Sequence, residues 1–378
     1  MNRNARVPQP GDLVRRFRIT REIGRGTYGC VYEAVDVKDG SQIALKRILP
    51  KSEKEGFPIT AVREIKALSR LENTNIVRLL DVIFDGSEQQ ELKAVYMVFP
   101  YVEHDLVGFT QYRRKDLSLS EVKCLSSQIL VGLKYLHSRH IIHRDLKLAN
   151  LLINANGVVK IADFGLSRLI CDVPFVVRTN KVVTRWHRSP ELLIGATQYD
   201  YAVDIWSYGT ILAEILTGSP LFPGESEVHV LKLIFETIGP PSGQVWAMLK
   251  QIPDSQHILY EARQTRCVSG DIDSRYSERS SFRKLFDTVP ESGCELLIQL
   301  LQYVPSGRIS ANEALNHLFF KEEPMPCTPN QIALPPEPRR EMQVKEDRAC
   351  GRLIPYRART VINRNSNRTP PVKRRRNR

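Results

Sequence analysis

His143-Arg144-Asp145-Leu146-Lys147-Leu148-Ala149-Asn150, followed a few residues on by Asp163-Phe164-Gly165, constrains this chain more than any other feature. These strings set two carboxylates and an amide on two turns about a strand apart. Such a donor set suits magnesium on a nucleotide triphosphate, and the same turns can orient a hydroxyl for attack. A lone Asp-Phe-Gly carries little weight. The longer string at this distance from it is rare by chance.

Upstream, Phe17 to about Val37 alternate apolar and polar around a glycine loop, Gly24-Arg25-Gly26-Thr27-Tyr28-Gly29, as a β-hairpin should. The glycine pattern alone could open a dinucleotide-binding helix. Cys30, Val31, Tyr32, Ala34 and Val35 follow it, however, and the run is β-forming. A glycine-rich hairpin lets backbone N–H groups approach phosphates closely.

Ile43-Ala44-Leu45-Lys46 reads as a short strand ending in a lysine, either a solvated strand end or a phosphate partner. Such a lysine needs a carboxylate to fix it, and Glu64 is the candidate. Glu64 lies in a helix that Pro58 is suited to open. Ala61, Glu64 and Leu68 share one stripe of that helix; Ile59, Val62 and Ile65 make a second. Two apolar faces imply burial all round or a covering partner, and composition alone favours burial.

Residues 92–106 read as a strand meeting a linker, after which Leu119, Val122, Leu125, Ile129, Leu133 and Leu136 recur at helical spacing. A β-rich first hundred residues and a helical remainder predict an α+β chain of two lobes, with a ligand cleft between them. The 378 residues are 42% apolar, ample for a large core, yet no run of eighteen apolar residues predicts a membrane span. Met-Asn-Arg-Asn-Ala-Arg at the start lacks the apolar stretch of a signal peptide. Seven scattered cysteines without a Cys-x-x-Cys pair argue against a disulfide framework or zinc site, and for a reducing compartment.

The net charge of +13 is concentrated in residues 321–378, where fifteen Lys/Arg face six Asp/Glu. That segment is rich in proline and asparagine and is expected to be disordered. Its end, Pro370-Pro371-Val372-Lys373-Arg374-Arg375-Arg376-Asn377-Arg378, suits nuclear targeting or a polyanion; a solubilising tail is the alternative.

The ordered set of glycine loop, Ile-Ala-Leu-Lys, His-Arg-Asp, Asp-Phe-Gly and Ser189-Pro190-Glu191 resembles the eukaryotic protein kinases. The resemblance implies an N-terminal extension (1–16), a kinase domain (17–320) and a basic tail (321–378). Within the domain it implies a β-rich N-lobe to about residue 99, a hinge at 100–103 and a mainly helical C-lobe beyond. Thr-Tyr in the glycine loop and Pro-Ile-Thr-Ala-Val-Arg-Glu are similar to the cyclin-dependent kinases. Lys54 to Ala61, Glu103-His104-Asp105-Leu106 and Thr179-Asn180-Lys181-Val182-Val183-Thr184 resemble the transcription-elongation branch, the catalytic subunit of positive transcription elongation factor b. Mitogen-activated kinases are the rival, but no Thr-x-Tyr lies between Asp163 and Glu191. Two departures are His187 for the family's tyrosine and Val304 for the aspartate before Pro305, near an Arg308 that should pair with Glu191.

The resemblance implies roles residue by residue. Asp163 and Asn150 would hold Mg2+, Asp145 would orient the substrate hydroxyl, Lys147 would offset γ-phosphate charge, and Lys46, fixed by Glu64, would pair the α- and β-phosphates of ATP. Ile23, Gly24, Arg25, Gly26, Thr27, Tyr28, Gly29, Cys30, Val31 and Ala44 would cover the nucleotide, with Phe99 behind it. The carbonyl of Pro100 and both backbone groups of Val102 would bond the adenine, and Asp105 would reach the ribose. Arg63, Arg144 and Arg168 would gather a phosphate on Thr179, and Thr27 and Tyr28 are inhibitory phosphosite candidates. Ile59, Val62 and Ile65 would face a cyclin of the T or K kind. Val182-Val183-Thr184-Arg185 implies Ser/Thr-Pro targets, with the carboxy-terminal repeat of RNA polymerase II as the branch's substrate and the nucleus as its place. A cell-cycle cyclin-dependent kinase is the alternative within the family. A catalytically weak scaffold of a cyclin complex would usually lack one of Lys46, Asp145 and Asp163, all present here. Nucleic acid would meet only the basic tail, which has no interleaved aromatics.

Overall fold

Period-two alternation builds the first lobe. In the computed structural model, which describes residues 8–26, 29–48, 58–85, 94–113, 116–170, 185–252, 255–263 and 282–350, it is a six-stranded antiparallel sheet. Its strands are β1 (Leu13–Val14), β2 (Phe17–Gly26), β3 (Gly29–Asp36), β4 (Gln42–Ile48), β5 (Asp81–Asp85) and β6 (Ala94–Pro100), in the order β1-β2-β3-β4-β6-β5. Along β4, Ile43 and Leu45 enter a small core with Phe17, Ile19, Tyr32, Tyr96 and Val98. Ala44 and Lys46 therefore point to the other face. Register sets Val31 and Met97 beside Lys46, and Phe99 beside Ala44, so these side chains share one wall.

Helix α1 (Ile59–Leu68) follows β4, and beyond the linker come α2 (Leu106–Tyr112) and α3 (Leu119–Ser138). A capping box starts α3: Ser118 accepts from Glu121 N, and the Glu121 carboxylate accepts from Ser118 N at 2.9 Å. The centre of the second lobe is helix Ala202–Thr217, buried along nearly its whole length and closed by Gly218 in the left-handed region. Glu191 and Arg308 pair there with both guanidinium nitrogens at 2.7 and 2.8 Å, so Val304 leaves that ion pair intact. Among the described residues no helix is long and apolar enough to cross a membrane.

The tail corrects an expectation. Residues 321–350 are not disordered; they form a strap that climbs the second lobe to the linker, while 351–378 lie outside the described residues. Lys123 donates to the Glu322 carbonyl at 2.9 Å, Ser120 to the Met325 carbonyl, and Arg113 to the Ala333 carbonyl. Ile332 and Val344 are 5% and 2% exposed, which is core burial. Helix Glu341–Ala349 packs on α2, and a Cβ on Gly108 would collide with the Arg339 backbone. The Arg339 N–H donates to His104 Nδ1 at 3.0 Å, and the Asp105 N–H donates to the Arg339 carbonyl at 3.2 Å.

Burial, helped by the charge of Arg340, pushes His104 down to about 4. An unfolded histidine titrates near 6.5, so between these values only the unfolded chain takes up the proton. The contribution is whole above pH 6.5 and lost as pH falls toward 4, about 2 kcal/mol of it by pH 5. His104→Gln, which cannot titrate, should show a smaller drop in denaturant midpoint than the wild type between pH 7 and 5.

Candidate active site

Lys46 stands on the cleft wall because β4 alternates, and two carboxylates meet it there. Its Nζ lies 2.7 and 2.9 Å from the Glu64 oxygens and 2.9 Å from Asp163 Oδ1. Burial alone would lower Lys46; the charges of Asp163 and Glu64 outweigh it and hold the ammonium above its ordinary range. Lys46 in turn holds Asp163 down to about 2. Burial pushes Glu64 upward against the pull of Lys46, but the contact keeps the pair in its ionic form.

Ala61, Glu64 and Leu68 are the buried face of α1. Ile59 and Val62 are 63% and 47% exposed, so composition misjudged the helix: it is not buried all round. Ile65, expected beside them, is half-buried and packs on the main core.

The second cluster is the turn His143–Asn150. Lys147 Nζ is 2.8 Å from Asp145 Oδ2. The Asn150 amide donates to Asp145 Oδ2 at 3.0 Å and to the Asp145 carbonyl at 2.8 Å. The two clusters are tied through the chain: the Ala162 N–H, one residue before Asp163, donates to the Asn150 carbonyl at 2.9 Å. His143 Nε2 meets the Ala162 carbonyl at 3.0 Å.

Arg144 and Asp163 both have left-handed backbones, at φ 70° and 63°. Side chains disfavour that region, and it persists only where surroundings enforce it. Asp204 supplies the enforcement at Arg144. Its fully buried carboxylate accepts from His143 N and from Arg144 N, each at 2.8 Å, and lies 3.2 Å from His137 Nε2. Burial would raise Asp204; those bonds and the histidine charges hold it low. Sequence reasoning missed it, although an aspartate in the first turn of a mostly apolar helix was the signal.

The glycine loop is described on either side of its tip. Gly24 faces Val31, Arg25 faces Cys30, and Gly26 faces Gly29, with a register shift before Gly24. Ile23 is buried. Thr27 and Tyr28 lie outside the described residues, as do Thr179 and Val182-Val183-Thr184. Of the arginines, Arg144 donates to the Leu166 carbonyl at 2.5 Å and to the Tyr199 hydroxyl at 2.6 Å. Arg168 pairs in a short ladder with Ile142. Arg63 precedes Glu64 on α1, which packs on the turn Phe164–Leu166. Past residue 184, Arg185 and Arg188 each reach Glu227, and Trp186 Nε1 donates to the Gly224 carbonyl at 3.0 Å. Burial pushes His187 down to about 3, so its imidazole is neutral, 3.0 Å from Thr210 Oγ1.

At the linker the structure departs from expectation. Phe99 is in the main core and Pro100 closes β6 opposite Ile43. The Val102 carbonyl, however, accepts from the Arg340 guanidinium, which sits 5.2 Å over the Tyr101 ring. Asp105, expected to reach a ribose, accepts from Gly108 N at 2.8 Å and Glu341 N at 2.7 Å. A segment distant in sequence has taken both groups.

A protein kinase domain model matches residues 17–320. The chain is 39% identical over 316 residues to Cyclin-dependent kinase 10 of Homo sapiens, covering 84% of this chain and 82% of that one. It is 41% identical over 310 residues to Cyclin-dependent kinase G-2 of Oryza sativa subsp. japonica, and 38% over 333 residues to Cyclin-dependent kinase 11A of Homo sapiens. Those alignments cover 82% and 88% of this chain, and 42% and 40% of the longer relatives.

Asp204→Asn should turn one acceptor for the His143–Asn150 turn into a donor facing an N–H. Steady-state kinetics should show kcat lowered about tenfold or more with little change in the KM for nucleotide, in a chain whose circular dichroism is unaltered.

Proposed function

The chain belongs to the protein kinase family and, within it, to the cyclin-dependent kinases; from that premise we propose that it uses Mg2+ and ATP to phosphorylate serine or threonine followed by proline. It is a cyclin-dependent serine/threonine kinase, and its partners are a cyclin and protein substrates. The observation that carries the residue assignment is the linkage of Lys46, Glu64 and Asp163 to the Asp145–Lys147–Asn150 cluster through one backbone bond.

In this reading Lys46, held protonated and in place by Glu64, takes the α- and β-phosphates. Ile23, Val31, Ala44 and Phe99 enclose the adenine, whose polar edge meets the Pro100 carbonyl and the Val102 N–H. Asp163 and the Asn150 amide oxygen would hold the cation from the protein side. Asn150 directs its N–H donors to Asp145, which fits an oxygen turned to a hard cation, and magnesium characteristically takes few protein ligands beside phosphates. Bound there, it supplies charge neutralisation to the phosphates. Asp145 accepts the proton of the substrate hydroxyl, and Lys147, 2.8 Å away, offsets the charge on the transferred group. Transfer breaks the bond from the γ-phosphorus to the bridging oxygen, forms the bond to the substrate oxygen, and leaves ADP.

Regulation and specificity extend the same reading. Ile59 and Val62 offer the cyclin an apolar surface. A phosphate on Thr179 would add roughly −1.5 to −2 charges for Arg63, Arg144 and Arg168 to share. The branch resemblance supports the RNA polymerase II carboxy-terminal repeat as substrate and the nucleus as location. With cyclin bound, Thr179→Ala should cut turnover by about tenfold, and unchanged turnover rejects the phosphosite. A Ser-Pro peptide should be phosphorylated and its Ser-Ala twin should not, because the residue after serine would leave an N–H unpaired; equal rates reject this specificity.

A further inference from the structure

Asp105 caps α2 at the edge of the cleft, and its position there depends on a second segment. One oxygen accepts from Gly108 N at 2.8 Å, as a helix N-cap does. The other accepts from Glu341 N at 2.7 Å, a contact made across 236 residues of sequence. The strap is fastened on both sides of that bond: Arg339 N donates to His104 Nδ1, the Arg339 carbonyl accepts from Asp105 N, and the Arg340 guanidinium holds the Val102 carbonyl. Asp105 is left 6% exposed.

We propose that the strap, through the Glu341 N–H, withholds Asp105 from the ribose, so that this kinase uses ATP and 2′-deoxy-ATP almost equally well. The proposal rests on the reading that residues 99–105 edge the nucleotide site. A carboxylate oxygen has a spare lone pair in principle, but burial leaves a ribose hydroxyl no approach to it. Turning Asp105 toward the sugar would strand the Glu341 N–H, and a stranded buried donor costs as much as the new bond gains. The 2′-hydroxyl therefore finds no charged acceptor at this edge, and deleting it from the nucleotide loses little.

Glu341 allows a narrow test. It is the first residue of its helix, with Arg340 as the cap in an extended conformation (φ −137°, ψ 163°). Proline is tolerated at that position, and an extended residue is what proline wants before it. Glu341→Pro thus removes the N–H together with the exposed ion pair to Lys345; Glu341→Ala removes that pair and keeps the N–H. With the full chain in complex with its cyclin, KM is measured for ATP and for 2′-deoxy-ATP.

The wild type and Glu341→Ala should give KM ratios (deoxy over ATP) within about threefold, and Glu341→Pro a ratio of about tenfold or more, as the freed oxygen binds the 2′-hydroxyl. A wild-type ratio of about tenfold or more overturns the proposal whether or not the proline variant folds. So does a folded proline variant with the wild-type ratio. If the wild type cannot use ATP at all, the reading of the cleft fails first, and this one with it.

Discussion

One ammonium between two carboxylates holds the site together. Lys46 comes from a strand, Glu64 from a helix and Asp163 from a turn of the second lobe, and their contacts all lie within 2.9 Å. Taking a lysine out of water is costly unless its charge is met, so these elements are stable together and poor apart. The consequence reaches the surface, because Glu64 and the exposed Ile59 and Val62 sit on one short helix. Whatever presses on the outer face of α1 bears on the position of Glu64.

A second constraint works from below. The turn His143–Asn150 needs a left-handed residue at Arg144, which it would not keep unaided. The buried carboxylate of Asp204 makes that conformation the one in which two neighbouring N–H groups are both satisfied. Strain at the turn is thus offset from the first turn of the buried helix Ala202–Thr217. The positions of Asp145 and Asn150 are in this sense properties of the C-lobe core.

Local patterns were legible in the sequence. Alternation along Ile43-Ala44-Leu45-Lys46 placed the lysine, three-and-four spacing in α1 placed Glu64, and the two motif strings located Asp145, Asn150 and Asp163. Contacts between distant segments were not legible. Nothing near His143 points to Asp204, and Asp105 itself gives no sign of Glu341. Averaging also misled: all six acidic residues after residue 320 precede residue 351, whereas ten of the fifteen basic ones follow it. A mean over the segment hid a folded strap behind a cationic end. The two-faced helix failed for a related reason, since an apolar face awaiting another chain looks the same in sequence as one facing the core.

The strap did leave one trace upstream. Gly108 sits inside α2, where alanine would be worth about 1 kcal/mol more to the helix. The helix tolerates the loss because another stretch of backbone occupies the space a methyl group would fill. A glycine in the middle of a short helix can therefore be read as a footprint: it marks where a remote part of the same molecule lies down, long before that part is reached along the sequence.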